Sequence, residues 1–170
     1  MGHQAPAGLV PDDVTIGVYG WDLSGFLAAL RSADVALLVD VRQRRGVRGP
    51  EYAWANSRRL QDSLAGAGVD YAHHPELAPT TELRHLQYDE DARQRVGKRS
   101  RVTLAPRYVE RYESEILAPV DLEPLVASMP WAGATALFCV ERDPEACHRS
   151  LIAARLADEY GVALRHLLPE

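Results

Sequence analysis

The sequence predicts an α/β fold with an open, mostly parallel sheet of about five strands and helices on both faces. Three observations predict it. Short apolar runs alternate with segments of helical periodicity along the chain. The run over 35–41 is almost continuously apolar, as expected of a strand that is covered on both faces. The first and third runs end at residues that stop strands, Gly20 and Pro75.

The predicted elements follow one another in a regular order. Strands are predicted over 14–19, 35–41, 69–74, 134–140 and 162–167. A first helix is predicted after an N-cap at Asp22 or Ser24. Further helices are predicted over 57–65, 102–117 and 121–128, and a last one from Cys147 to about Tyr160. The polar stretch 77–101 lacks periodicity and is predicted to be a long, lid-like connection. Together these elements predict a three-layer domain of the Rossmann-like or flavodoxin-like kind.

Length and charge set limits on organisation and partners. A chain of 170 residues is expected to form one domain, here over 13–170, after a flexible tail over 1–12. The net charge is -5 with His neutral, so the protein as a whole does not attract nucleic acid. The positive charge is nevertheless clustered in two runs, over 42–48 and 93–101, and it is almost all arginine. Guanidinium groups suit the recognition of phosphates and carboxylates.

The chain is expected to be cytoplasmic. No signal pattern opens the sequence, and no apolar run approaches the ~20 residues that span a bilayer. We therefore expect no membrane contact. In the cytoplasm the two cysteines, Cys139 and Cys147, are expected to be free, metal-bound or catalytic rather than joined in a structural disulfide.

Polar side chains collect at the carboxyl ends of the predicted strands. Those ends share one edge of a parallel sheet, where ligands usually bind in open α/β folds. The residues at this edge are Tyr19, Asp40, Arg42, His73, His74, Glu76, Cys139, Glu141 and Arg142. The triplet Cys147-His148-Arg149 and Ser150 follow within the turn after the fourth strand. The sequence therefore predicts an active site or ligand site around this turn.

Four sequence blocks occur in a fixed order along the chain. They are Thr15-Ile16-Gly17, Leu38-Val39-Asp40-Val41-Arg42, His74-Pro75-Glu76-Leu77 and Cys139-x-Glu141-x-Asp143-Pro144-x-x-Cys147-His148-Arg149-Ser150. With this pattern the chain resembles the family called domain of unknown function 488, over about residues 14–168. The resemblance implies a small α/β protein with an open parallel sheet. It implies no particular reaction, because the family is defined by sequence.

Cys147 is the candidate nucleophile. Asp143 and Pro144 fit the N-cap and the first position of a helix, which would place Cys147 in the first helical turn. The helix dipole, the charge of Arg149 and a protonated His148 would then lower the pKa of the thiol. The alternative that remains open is a small buried side chain that packs the helix against the sheet.

A metal site is a weaker interpretation of the same cluster. It would draw on Cys139, Cys147, His148 and one of His73 or His74, donors that suit zinc. The spacing lacks the close pair of cysteines that is typical of structural zinc sites. No metal is therefore predicted, and the sequence points to no other cofactor.

Anion binding is the better supported activity. The helix start offers free backbone N–H groups, and three arginines could converge there on a phosphate. The predicted substrate-binding residues are Tyr19, Arg42, Arg142, His148, Arg149 and Ser150. Asp40 would either orient Arg42 or act as a base, and His74 with Glu76 would form an acid–base pair.

The leading hypothesis is a small enzyme that acts on a phosphorylated or otherwise anionic, nucleotide-like molecule. Cys147 would be its reactive thiol, and Arg42 with Arg149 its anion clamp. The first alternative is a non-catalytic module that binds nucleic acid or a protein partner through its arginine-rich loops. The second alternative is a metal-dependent enzyme that uses the Cys/His cluster.

Overall fold

Five parallel strands form one open sheet. The computed structural model describes residues 12–170, so the tail predicted over 1–12 lies, apart from residue 12, outside the described residues. The strands are β1 (Asp13–Ile16), β2 (Val35–Asp40), β3 (Asp70–His73), β4 (Ala134–Phe138) and β5 (Leu164–Leu167). Their order is β3-β2-β4-β1-β5, and every pairing is parallel. The predicted α/β fold class is confirmed.

Helices cover both faces of the sheet. They are α1 (Leu23–Ser32), α2 (Ser57–Gly66), α3 (Thr81–Arg93), α4 (Pro106–Tyr112), α5 (Glu123–Ser128) and α6 (Arg149–Tyr160). A π turn over Glu113–Leu117 continues α4, and 3-10 turns cover Pro50–Ala55, Pro75–Leu77, Lys98–Ser100 and Pro144–Ala146. The crossovers from β1 to β3 run one way along the sheet, and those from β3 to β5 run back. Because such crossovers are right-handed, the two groups of helices lie on opposite faces.

The carboxyl ends of the strands are aligned in one row. Ile16 pairs with Phe138, Phe138 pairs with Asp40, and Asp40 pairs with His73. The central strand β4 is buried along its whole length. The segments that follow β1, β2 and β4 therefore leave the sheet side by side, at a single edge. None of the helices within residues 12–170 is long and apolar enough to span a membrane.

Several boundaries differ from the predicted ones by a few residues. The strand predicted over 14–19 ends at Ile16, because the N–H groups of Val18 and Tyr19 both donate to the Val140 carbonyl, at 2.9 and 3.1 Å. The chain thus turns over the end of β4 instead of continuing beside it. The helix predicted from residue 102 begins at Pro106, since proline is favoured in a first helical turn.

The segment predicted to be an irregular connection contains a helix of 13 residues, α3. Its buried stripe consists of Leu83, Gln87 and Asp91, which lie four residues apart. Gln87 accepts a hydrogen bond from the backbone N–H of Ala105 at 2.8 Å, and Asp91 binds Arg101 at 2.6 Å. Two of the three buried side chains are polar, so no apolar stripe marks this helix in the sequence. The expectation of an irregular connection is corrected.

The start of α6 also differs from the prediction. Asp143 and Pro144 open a single 3-10 turn, Pro144–Ala146, and the α-helix begins only at Arg149. Cys147 lies between the two with extended backbone dihedral angles, φ -136° and ψ 143°. Its carbonyl accepts hydrogen bonds from the N–H and the Oγ of Ser150. Cys147 therefore precedes the helix and is not part of its first turn.

Gly17 is required by the close approach of two backbone segments. A Cβ at this position would collide with the carbonyl oxygen of Glu141, an atom that is itself bound by Arg149. We expect Gly17→Ala to lower the free energy of unfolding by about 3 kcal/mol, because a backbone oxygen cannot move aside as a side chain can. Gly66→Ala is the matched control, since a Cβ there meets nothing within 4 Å. Denaturant unfolding that shows equal stability for the two variants would contradict this account.

Candidate functional site

A cavity of about 780 Å³ lies at the edge of the sheet where the strands end. Its size is within the range of small-molecule sites, about 300–1,000 Å³. Three segments line it: the loop after β2, over 42–48; the end of α3 and the turn after it, over 84–101; and the connection after β4, over 139–148. Tyr19, which follows β1, completes the wall.

The lining of the cavity is strongly basic. Among the described residues it contains one carboxylate, Glu141, and seven cationic side chains: Arg42, Arg44, Arg48, Arg84, Lys98, Arg99 and Arg101. The chain as a whole carries a net charge of -5. The cavity thus has the opposite charge to the protein, and this concentrates positive potential at one concave place.

Three of the seven cations are already paired with carboxylates. Arg42 binds Asp40, Arg101 binds Asp91 and Glu141, and Arg99 binds Glu51. The other four form no ion pair with a carboxylate in the part of the chain that is described: Arg44, Arg48, Arg84 and Lys98. Arg84 is held in place by neutral groups, Gln43 and the Tyr88 hydroxyl. The cavity therefore retains uncompensated positive charge that is available to an anion.

Both cysteines of the chain lie at the cavity floor, and both are free thiols. The Sγ of Cys139 lies 3.7 Å from Nδ1 of His148, and the Sγ of Cys147 lies 3.9 Å from the same nitrogen. All three side chains are buried, although they line the cavity. One imidazole thus contacts both sulfurs.

The orientation of His148 is set by the backbone. Its Nε2 lies 2.8 Å from the Val41 carbonyl oxygen, which can only accept a hydrogen bond, so Nε2 carries a proton. The ring also packs against Tyr112 at 5.5 Å between centroids. Nδ1 is therefore the nitrogen that is left for the thiols, and Nε2 also lies 3.9 Å from the Cys139 sulfur. Burial lowers the pKa of His148, but the negative charge of Cys147 and the Val41 carbonyl outweigh burial and raise it.

The surroundings of Cys147 favour its thiolate. Burial would raise the pKa of Cys147, but a hydrogen bond from Cys139 and the positive charges of Arg149 and His148 outweigh it. The pKa consequently lies well below that of an ordinary cysteine. The sequence predicted this direction and the part played by Arg149 and His148. It attributed a further part to a helical turn that Cys147 does not occupy.

The two groups beside Cys147 are shifted in the opposite direction. Burial and the hydrogen bond to Cys147 raise the pKa of Cys139 well above its ordinary value. Burial, followed by the charge of Cys147, also raises the pKa of Glu141, whose carboxylate lies 3.9 Å from the Cys139 sulfur. The floor of the cavity thus holds two thiols whose pKa values are shifted in opposite directions.

The predicted anion clamp is corrected by the structure. Arg149 is fully buried and donates to the carbonyls of Glu141 and Arg142, at 2.6 and 3.0 Å, and to Thr15 Oγ1 at 3.3 Å. Arg42 is 2% exposed and binds both oxygens of Asp40 and the Ala55 carbonyl. Both guanidinium groups bind the protein's own oxygen atoms. They connect the segments around the site, and Arg149 acts on Cys147 through its charge.

Asp40 orients Arg42, which is one of the two roles predicted for it. Its carboxylate accepts hydrogen bonds from the backbone and side chain of Arg42 and from the Tyr71 hydroxyl at 2.6 Å. It is fully buried and does not line the cavity. A role as a base for a ligand in the cavity does not fit this position.

The predicted acid–base pair forms, but away from the thiols. His74 Nδ1 lies 2.6 Å from a Glu76 carboxylate oxygen, and neither residue lines the cavity. Arg142 points elsewhere as well, binding Asp143 and the Pro169 carbonyl. Ser150 donates to the Cys147 carbonyl. Of the predicted substrate-binding residues, Tyr19, Arg42 and His148 line the cavity.

One group of side chains within residues 12–170 could hold a metal ion, namely Cys139, Cys147 and His148. Their donor atoms lie within 4.8 Å of one another. The other histidines considered from the sequence do not join them. His73 binds the Arg42 carbonyl through Nε2, and His74 pairs with Glu76.

Several cavity residues lie outside the predicted site. They are Arg84, Tyr88, Lys98, Arg99, Arg101 and Tyr108. The basic run over 93–101 was visible in the sequence, but its proximity to the thiols depends on α3. Arg101 makes this connection, because its guanidinium binds Asp91 on α3 and also Glu141 and the Ala146 carbonyl on the cavity floor.

Fold and site together define an open parallel α/β protein with a buried thiol pair beneath a cationic cavity. Comparison with protein families identifies it further: residues 22–156, well over half of the chain, match the family described as Domain of unknown function DUF488. The chain belongs to this family, which confirms the resemblance seen in the sequence. Neither the curated proteins nor the solved structures contain a match to the chain.

Proposed function

We propose that the protein is an enzyme that acts on a phosphorylated or similarly anionic small molecule, with Cys147 as its reactive thiol. The observation that carries the proposal is the charge of the cavity. Four cations without carboxylate partners surround a concave space whose floor holds Cys147 and His148. We place this reaction in the cytoplasm, where both thiols would stay reduced.

The arrangement of the cations favours a small ligand over a nucleic acid. They converge on one cavity from two chain segments, over 42–48 and 84–101, whereas a nucleic-acid backbone requires a row of cations along a groove. Tyr19 and Tyr88 line the same space, where Arg99 and Arg84 lie over their rings and present guanidinium groups beside aromatic surface. These features support a compact, nucleotide-like anion.

Cys147 would attack an electrophilic atom of the bound anion. The thiolate is the nucleophilic form of cysteine, and the charges of Arg149 and His148 favour it here. As the new bond to sulfur forms, the leaving group takes a proton from protonated His148, whose Nδ1 faces the reacting thiol. The surrounding cations would hold the substrate's negative charge throughout.

Inorganic pyrophosphate is a suitable first probe of the cavity. We expect it to bind at low ionic strength, and Lys98→Gln and Arg84→Gln each to weaken binding about tenfold, because each removes one charged hydrogen bond. Arg107→Gln is the matched control, since Arg107 is exposed and lies outside the cavity. Isothermal titration calorimetry measures all four proteins.

Two results would contradict the proposal. The first is a failure of the binding test: either pyrophosphate does not bind, or Arg107→Gln weakens its binding as much as the cavity variants do. The other is that a single-stranded oligonucleotide binds to the arginine-rich loops while pyrophosphate neither binds nor competes. The second result would favour a nucleic-acid-binding module.

A further inference from the structure

The two thiols at the cavity floor are close enough to react with each other. The donor atoms of Cys139, Cys147 and His148 lie within 4.8 Å of one another. A disulfide has an S–S distance of about 2.05 Å, so the sulfurs must approach by less than about 3 Å. Cys147 lies in an extended link between a 3-10 turn and α6, outside both regular elements. Local adjustment of this link can bring the sulfurs together without breaking a strand or helix.

The surroundings of the two sulfurs favour different protonation states. Cys147 is surrounded by groups that favour its thiolate, whereas burial and the hydrogen bond to Cys147 keep the proton on Cys139. His148 contacts both sulfurs through Nδ1, at 3.7 and 3.9 Å. One thiol can therefore attack an electrophile first, and the second is held beside it to react with the product.

We propose that Cys147 and Cys139 form a redox pair that reduces a hydroperoxide and closes an internal disulfide. Cys147, which lines the cavity floor next to His148, is the attacking thiol, and Cys139 resolves the oxidised intermediate. This inference rests on the reactive Cys147 of the proposed function, and it adds a second substrate class and a role for Cys139.

The chemistry balances in two steps. The Cys147 thiolate attacks one peroxide oxygen, the O–O bond breaks, and the alkoxide or hydroxide that leaves takes a proton from His148. Cys147 is then a sulfenic acid. The sulfur of Cys139 attacks the Cys147 sulfur, the S–O bond breaks, and the departing hydroxide takes the Cys139 proton to form water. Two thiols lose two electrons in total, and the hydroperoxide gains them.

The test uses the full-length protein and hydrogen peroxide. Reduced protein is freed of reductant, treated with one equivalent of peroxide, and analysed by intact mass after thiol blocking. We expect the wild type to lose about two mass units, with no thiol left to block and full reversal by dithiothreitol. Cys139→Ala should instead gain about 16 mass units at Cys147, since nothing resolves the sulfenic acid. Cys147→Ser should be unchanged at this dose.

The inference is overturned if wild-type protein gains oxygen as Cys139→Ala does, or if disulfides form only between molecules. A stoichiometric metal that protects both thiols in the purified protein, measured by elemental analysis, would also overturn it. The wild-type result does not depend on whether either variant folds, and far-UV circular dichroism checks that both do.

Pyrophosphate binding and the alkylation of Cys147 are measured on the same samples. Rapid alkylation and intact binding without disulfide formation would refute the redox pair and leave the proposed function standing. A Cys147 that resists both alkylation and peroxide would refute the reactive thiol itself.

Discussion

Replacing Arg149 by methionine is expected to lower the free energy of unfolding by about 3 kcal/mol or more. The substitution leaves the buried carbonyl of Glu141 and the part-buried carbonyl of Arg142 without these donors, and the loss of a partner for a buried group costs about 1–3 kcal/mol. In a chain of this size the melting temperature should fall by about 10 °C. The pH at which Cys147 is half-alkylated should rise as well, since the charge of Arg149 favours its thiolate.

Arg142→Met is the matched control for this prediction. Arg142 is a neighbouring arginine, but it is exposed and its ion pair with Asp143 lies at the surface. We expect the control to change stability by less than about 1 kcal/mol. If Arg149→Met unfolds like the wild type but loses pyrophosphate binding, Arg149 is an anion ligand, and the structural role assigned to it is wrong.

Cys147 is expected to react with iodoacetamide at a pH where an ordinary cysteine is nearly inert. At pH 6.5 a thiol with a pKa of about 8.5 is only about 1% ionised, whereas a larger fraction of Cys147 should be thiolate because its pKa is lowered. The measurement is the rate of alkylation against pH in the Cys139→Ala background. The pH at which the rate reaches half its maximum, the midpoint, is the quantity to compare. The maximal rate is less informative, because a thiolate of low pKa is also less nucleophilic.

His148→Gln tests whether the charge of His148 lowers the pKa of Cys147. The variant removes a positive charge next to the thiolate, so the midpoint should move to higher pH. The lowered pKa of Cys147 also contributes to the free energy of unfolding. This contribution is complete at pH values above the pKa of a cysteine in the unfolded chain, and it is lost as the pH falls through the lowered pKa of the folded protein. Slow alkylation of Cys147 at every pH would mean a buried structural thiol.

The sheet could be predicted from the sequence because its strands are apolar and short. The uninterrupted run over 35–41 and the fully buried strand β4 are the patterns that a parallel sheet produces. Helix α1 was equally clear, since Asp22 caps it by accepting a hydrogen bond from the N–H of Gly25. In these elements the local sequence favours the same secondary structure that burial in the fold requires.

Helix α3 could not be predicted in the same way. Its buried face carries Gln87 and Asp91, whose partners are Ala105 and Arg101, more distant in sequence. A polar side chain can be buried when a specific partner satisfies it, and such a partner leaves no periodic signal in the sequence. The basic wall of the cavity depends on this helix, so the wall was missed although its arginines were noticed.

The direction of the pKa shift of Cys147 was predicted from its place near the start of a helix and beside Arg149 and His148, whereas the roles of the nearby arginines were not. A sequence shows that Arg149 is charged and close to Cys147, but it does not show that two backbone carbonyls take up its guanidinium. The same holds for Arg42 and its partners Asp40 and Ala55. Tertiary hydrogen bonds decide whether an arginine is free for a ligand.

The most direct test of an anion site above a reactive thiol is protection of Cys147 from alkylation by pyrophosphate. Iodoacetamide is uncharged, so added pyrophosphate can slow it only by occupying the cavity or changing the thiol. We expect saturating pyrophosphate to slow the alkylation of Cys147 severalfold at constant ionic strength, and less so in Lys98→Gln. If alkylation is fast at neutral pH but pyrophosphate leaves its rate unchanged, the cavity is not an anion site that includes Cys147, and the central claim is contradicted.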